Sequence, residues 1–265
     1  MCECKQMRNE GALFFVSNSG GKDSQAMYNY LMFDLQIPVD QIVVVHAHLG
    51  EIEWDGIVDH INENIAHPLN IVQAVTKNGE MNTFLSMVRR RKTDKFPNGM
   101  WPSPSYRQCT SDLKRGPIYK FIRKTMKEKG VHLGVNCTGM RAEESDARKK
   151  KKPWSLNKDL SRAGRTVYEF MPIHDWSTDQ VYDYIYANGQ RPFWAYGERG
   201  ELNQRLSCVF CIMGSVNDHK HGAKQRPELY AEIVQMEKDM GHTMFPGVSL
   251  EQRNGITVEE IMSGI

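Results

Sequence analysis

Residues 12–24 constrain the fold more than any other part of the chain. Ala12 to Asn18 is a short apolar run that ends in Ser19-Gly20-Gly21-Lys22-Asp23-Ser24. A helical pattern follows over about 23–35, with Ala26, Met27, Tyr30, Leu31 and Leu35 on one face. So short and apolar a run reads as a strand buried on both faces, the habit of parallel sheets covered by helices. Paired glycines free the turn from Cβ clashes and let backbone N–H groups approach an anion closely. The dipole of the following helix favours negative charge at the same point. Lys22 adds a mobile cation, and Ser19 and Ser24 add hydroxyl donors. The spacing is neither Gly-x-x-x-x-Gly-Lys nor Gly-x-Gly-x-x-Gly. We therefore expect Ser17, Ser19, Gly20, Gly21, Lys22, Asp23 and Ser24 to hold the phosphates of a nucleotide. The alternative is a tight strand–helix turn with no ligand.

The same alternation continues. Strands are expected at 41–46, 69–75, 131–137 and 167–171. Helices are expected at 54–66, 80–92 and 110–128, the last bent or restarted at Gly116-Pro117. Another begins after Ser177, a suitable N-cap, and runs to about 187. A loop is expected at 97–105 and a further helix at 227–240. Such alternation implies right-handed crossovers and an α/β fold, a doubly wound, mostly parallel sheet. The expected organisation is a nucleotide-binding domain over 1–188 and a C-terminal appendage, with a Cys pair, over 189–265. No apolar run approaches the roughly 18 residues of a membrane-spanning helix. The N-terminus lacks the apolar core of a signal peptide, so the expected location is cytoplasmic and no membrane partner is expected. Six cysteines in a reducing compartment point to metal or redox chemistry, not to a disulfide framework.

Further strings follow in order. His46-Ala47-His48-Leu49-Gly50-Glu51 comes after the second strand. Arg107-Gln108-Cys109-Thr110-Ser111-Asp112-Leu113-Lys114 precedes a helix. Thr138-Gly139-Met140-Arg141-Ala142-Glu143-Glu144-Ser145, with Arg148, follows the fourth strand. Pro172-Ile173-His174-Asp175-Trp176-Ser177 enters a helix, and Leu206-Ser207-Cys208-Val209-Phe210-Cys211 closes the set. Ser19–Ser24 resembles the pyrophosphate loop of the ATP pyrophosphatase superfamily. The full set, over roughly 12–215, resembles its phosphoadenosine phosphosulfate (PAPS) reductase-like branch, including the sulfurtransferases of DNA phosphorothioation. His48 stands where that branch usually has Asp, and Glu51 or Glu53 is a possible substitute.

The resemblance implies an adenine nucleotide, ATP, as ligand. Loops after parallel strands converge on one crevice in such sheets, so His48, Gly50, Gly139 and Arg141 are expected beside the phosphate loop. Arg141 offers a planar fork for phosphate or sulfate oxygens; its alternative is a salt bridge to Glu143 or Glu144. Lys22, Asp23 and Arg141 are the candidate catalytic residues.

Cys208-x-x-Cys211 has metal-site spacing. The resemblance implies that it joins Cys109 to hold an iron–sulfur cluster, and three thiolates would leave one iron of a 4Fe–4S cluster open to a sulfide. Zinc, with His219 or His221 as fourth ligand, is the alternative; a redox pair is another. Cys137, in an expected strand, reads as core. Cys2 and Cys4 read as part of a mobile terminus.

Residues 148–166 hold Arg148, Lys149, Lys150, Lys151, Lys152, Lys158, Arg162 and Arg165 against Asp159 alone, in a chain whose net charge is +2. That leaves the remainder net negative. A nucleic-acid substrate would explain the segment through phosphate contacts, with Trp154 placed to stack on a base. A solvated loop or a lid over a nucleotide is the alternative.

Three activities compete. One is ATP-dependent adenylation followed by sulfur transfer, which calls for a sulfur donor protein. The second is a PAPS or adenylylsulfate reductase, weighed lower because no cysteine follows Cys211 to act as nucleophile. The third is a non-catalytic nucleotide- or nucleic-acid-binding module.

Overall fold

A computed structural model describes residues 2–93 and 100–264. In chain order the elements are α1 (Cys2–Asn9), β1 (Leu13–Ser17), α2 (Lys22–Asn29), β2 (Ile42–His48), α3 (Ile57–Glu63), β3 (Leu69–Gln73), α4 (Phe84–Thr93) and α5 (Gly116–Glu128). They continue with β4 (Leu133–Cys137), α6 (Asp146–Lys149), β5 (Trp154–Leu156), β6 (Thr166–Phe170), α7 (Thr178–Ala187), α8 (Val216–Gln225), α9 (Pro227–Met240), α10 (Leu250–Asn254) and α11 (Val258–Ser263). Among the described residues, no helix is long and apolar enough to cross a membrane. Of the expected loop at 97–105, residues 97–99 lie outside the described residues.

The chain divides into two compact units, each built from three stretches. The first takes residues 1–47, 56–72 and 117–193; the second takes 48–55, 73–116 and 194–265. The units interleave along the sequence, and the last crossing, at 193/194, is the one nearest the expected boundary at 188.

The sheet has six strands in the order β3-β2-β1-β4-β6-β5. β1 runs parallel to β2 and to β4, and β4 runs parallel to β6. β5 closes the edge antiparallel to β6. The fold is therefore the expected α/β arrangement. The strand β1 explains why both faces are covered. Phe14 and Val16 join a core with Cys4 and Met7 of α1, Ala26 and Met27 of α2, and Val181 and Ile185 of α7. Leu13 and Phe15 pack in a second core with Ile122 and Met126 of α5, Leu160 and Val167. Alternate residues of one strand thus enter opposite cores, so the strand reads as continuously apolar. Each fully buried phenylalanine contributes about 1.5–3 kcal/mol.

Three departures from expectation have local causes. α2 continues as a π-helical turn, Tyr30–Asp34. The helix expected from 110 opens as a π-helical segment, Cys109–Arg115, and becomes α-helical at Gly116. Pro117 lacks an N–H and its ring would crowd the carbonyl four residues back, which the wider turn accommodates. Cys4 is not in a mobile terminus: α1 buries it in the first core. Cys137 is buried core, as expected.

Candidate functional site

The strand order reverses between β1 and β4, the position where parallel sheets open a crevice at their carboxyl ends. Within the first unit, the Ser17–Ser24 loop leaves β1 there, and the Thr138–Arg141 loop leaves β4. The phosphate loop is held by its own side chains. Asn18 Oδ1 accepts from Gly20 N at 2.9 Å and from Ser24 Oγ at 3.0 Å. Ser19 N donates to Ser24 Oγ at 3.2 Å, and Ser24 Oγ donates to the Gly21 carbonyl at 2.8 Å. The buried His46 ring donates from Nδ1 to the Asn18 carbonyl at 2.9 Å. Asn18 went unremarked in the sequence, although an Asn just before a glycine turn is a known turn-former.

Two glycines are dictated by space. Gly20 has φ +74°, and a Cβ there would sit 2.2 Å from Ile57 Cδ1. At Gly139 a Cβ would sit 2.6 Å from the Asp23 carbonyl oxygen. The β4 loop therefore lies directly on the start of α2, and only glycine permits it.

Asp23 links two cations. Its Oδ2 lies 3.1 Å from Lys22 Nζ, and its Oδ1 accepts from Arg141 Nε at 2.6 Å. Both cations are buried. Lys22 Nζ also sits 5.9 Å from the centre of the Tyr182 ring. Arg141 donates from Nη1 to Glu143 at 2.7 Å and to the Trp176 carbonyl at 3.1 Å, and from Nη2 to Thr178 Oγ1 at 3.1 Å. Burial disfavours its charge, but Asp23 and the neighbouring glutamates more than compensate and raise its pKa. Its hydrogen bond and charge lower the pKa of Glu143 in turn. The fork of Arg141 is thus filled by protein groups, including the expected Glu143, and acts on the loop through Asp23. Ser17 turns towards β4, its Oγ 3.4 Å from Asn136 Oδ1.

The cysteines fall in the second unit, described by itself. Cys109, Cys208 and Cys211 are each half-buried, and Lys114 lies among them. Burial pushes the Cys208 thiol up to about 12 and raises that of Cys109, in both cases against the pull of Lys114. Burial works against the charge of Lys114, yet Cys208, Cys211, Cys109 and Glu53 together raise its pKa. The sequence string contained Lys114 without marking it. Among the described residues, the three sulfurs are not all within 4.8 Å of one another. Of the rings offered for zinc, His219 donates from Nε2 to the Cys211 carbonyl at 2.7 Å. Its Nδ1 is buried without a partner, on a ring that burial keeps neutral. His221 Nδ1 meets Asn203 Oδ1 at 2.7 Å, and its ring lies against Trp54.

His48 and Gly50 also belong to the second unit. His48 pairs with Glu53. Glu51 accepts from Thr83 Oγ1 at 2.7 Å and from Leu85 N at 3.2 Å, which caps the start of α4. Of the two glutamates expected to replace the missing Asp, Glu53 is the one beside His48.

The first unit thus brings together the phosphate loop, Gly139 and Arg141. The second brings together the three cysteines and Lys114. A family model described as the phosphoadenosine phosphosulfate reductase domain matches residues 14–196. No curated protein matches the chain.

Proposed function

The chain belongs to the phosphoadenosine phosphosulfate reductase domain family, a family of nucleotide-using enzymes of sulfur metabolism, and from that premise we propose that it is an ATP-dependent sulfurtransferase of the cytoplasm. In this reading an oxygen of the acceptor attacks the α-phosphorus of ATP, and pyrophosphate leaves. A sulfur nucleophile then forms the new bond to the acceptor, and the oxygen departs with AMP. The backbone N–H groups of Gly21 and of the start of α2 bind the leaving pyrophosphate, and Lys22 neutralises its growing charge. Asp23 orients Lys22, and Arg141 is a positioning residue that holds Asp23.

The observation that carries this reading is the gathering of Cys109, Cys208 and Cys211 about Lys114. Desolvation raises the thiols of Cys109 and Cys208, which suits neither as an attacking thiolate for phosphosulfate reduction. The same desolvation makes thiolates there favour a metal counter-charge. The three residues would hold a 4Fe–4S cluster, which when bound supplies an iron without a thiolate from this set, open to exogenous sulfide. A closed zinc site would need His219 or His221 as its fourth ligand.

The family name itself favours the second reading, a phosphosulfate reductase working through the same loop. One comparison separates them under anaerobic conditions. The sulfurtransferase releases pyrophosphate from ATP, and Lys22→Met lowers that rate about 100-fold, as expected for loss of a transition-state cation. Sulfite release from PAPS with a thiol donor, without pyrophosphate release from ATP, overturns the proposal in favour of the reductase.

A further inference from the structure

The basic segment after Arg141 is part of the fold. β5 pairs with β6 through Trp154–Phe170, Ser155–Glu169 and Leu156–Tyr168. Asn157 N donates to the Val167 carbonyl at 2.9 Å, Arg165 Nε to the Leu160 carbonyl at 2.8 Å, and Arg162 and Arg165 bond each other through their backbones. Asn157 Oδ1 caps the turn at Leu160 N, 2.9 Å away. Trp154 stacks on Tyr168 with ring centres 5.3 Å apart and packs against Phe170 at 5.0 Å. Its ring is partly buried and packed against the core, and with Tyr168 and Phe170 as its neighbours it is not offered as a platform for a base. These ties also argue against a lid, because opening would strip Trp154 from that core.

What the hairpin displays is charge. Lys149, Lys150, Lys151, Lys152, Lys158 and Arg162 are exposed. Among the described residues, Arg148 is the member of the segment with a carboxylate at ion-pair distance, that of Glu144. The lysines flank β5, whose own Trp154, Ser155 and Leu156 are uncharged, so edge protection does not account for them. The field extends onto α5, which packs on Leu160 and Val167 through Ile122 and Met126. Tyr119 of α5 accepts from Asn157 Nδ2 at 2.9 Å. The outer residues of α5 are Lys120, Arg123, Lys124 and Lys127, with Glu128 the one acid. Burial and the nearby charges of Arg162 and Arg123 lower the pKa of Arg165, so these guanidinium groups repel one another.

We propose that this sheet edge, residues 148–165 with the outer face of α5, is a nucleic-acid-binding surface that grips the sugar–phosphate backbone without reading bases. A row of exposed cations held on a paired sheet edge, with Lys124–Glu128 and Arg148–Glu144 as its ion pairs, matches a row of phosphates, and each contact releases condensed counterions. The engaged Trp154 leaves phosphate contact as the mode of recognition.

The test is fluorescence anisotropy of the full chain, without ATP, on labelled DNA and RNA duplexes of about 20 base pairs over about 50–200 mM KCl. Neutralising about four phosphates lowers affinity on the order of 100-fold across that range. Combined reversal, Lys149→Glu, Lys150→Glu, Lys151→Glu and Lys152→Glu, alters exposed side chains only. It weakens binding at least about 30-fold and flattens the salt slope, whereas Lys77→Glu, an exposed reversal in the second unit, leaves both unchanged. Absence of binding at the lowest salt, or a quadruple variant that binds as the parent does, sinks the proposal. So does equal binding to phosphatidylserine vesicles that the same variant abolishes, since the surface would then serve a membrane. The two readings fail separately: nucleic acid binding is scored without ATP, and pyrophosphate release is scored with it.

Discussion

In the first unit, the phosphate loop is completed by its own atoms: Asn18, Ser19, Gly21 and Ser24 bond one another, and Asp23 is fixed by Lys22 and Arg141. In the second unit, Cys109 and Cys208 lie in surroundings that penalise their charged form, with Lys114 as the nearby cation. The first arrangement keeps its shape through internal hydrogen bonds. The second gains most from a cation supplied from outside. Disturbing the loop should therefore be felt first in folding and nucleotide chemistry, and disturbing the cysteines first in metal content.

The largest effect is expected at Arg141. Arg141→Met removes four hydrogen bonds and leaves Asp23 and Glu143 facing no cation fork. Breaking such a pair costs about 3 kcal/mol, discounted for the partial exposure of both carboxylates. Urea denaturation reads this loss, and pyrophosphate release falls with it. Arg141→Lys keeps the charge but not the fork, and should recover less than half of the loss. Full recovery with lysine would show that charge alone holds the loop. Next comes Gly139→Ala. The new Cβ meets backbone atoms, which cannot swing aside, so Asp23 and the start of α2 must shift. The expected cost is about 2 kcal/mol, with a fall in pyrophosphate release on the order of 100-fold from misplacement. Gly164→Ala, where nothing lies within 4 Å, has only its φ of +76° to strain it. It should cost about 1 kcal/mol with the activity intact.

The two regions were unequally legible in the sequence. The loop could be read because its string is contiguous and sits between a strand and a helix of opposite periodicity. Gly20 and Gly139 were picked out for the phosphates, but the structure gives both a steric reason, which no residue type reveals. Arg141 was read as reaching for a phosphate or sulfate. Its partners Asp23 and Thr178 lie far away in sequence, so their convergence depends on the strand order. Cys109, Cys208 and Cys211 could be grouped only by their likeness to a family, because spacing ties the last two alone. The three-residue strand β5 escaped notice: it is too short to show alternation, and a run of lysines precedes it. α1 was missed for a similar reason, since among its described side chains Cys4 and Met7 alone are deeply buried.

Cysteine substitutions test the other half of the comparison. Cys109→Ser or Cys208→Ser should leave the denaturation midpoint nearly unchanged, within about 1 kcal/mol, because each side chain is only half-buried. Anaerobically purified protein should meanwhile fall from about four irons per chain to a small remainder. One zinc per chain in the parent, lost on His219→Ala as well, would replace the cluster with a closed tetrahedral site. The smallest effect separates the thiols from one another. Cys137 is fully buried in β4, its neighbours are Val16 and Phe170 of the adjoining strands, and burial holds its thiol neutral. Such a thiol behaves as a small apolar side chain. Cys137→Ala removes one sulfur from a packed core, which costs about 1 kcal/mol, and iron content, colour and pyrophosphate release should all match the parent. Loss of iron in this variant alone would place the metal in the first unit and reverse the assignment of the two regions. On the proposed reading, identical residue types divide by surroundings, with the buried Cys137 serving the fold and the three cysteines about Lys114 serving the metal.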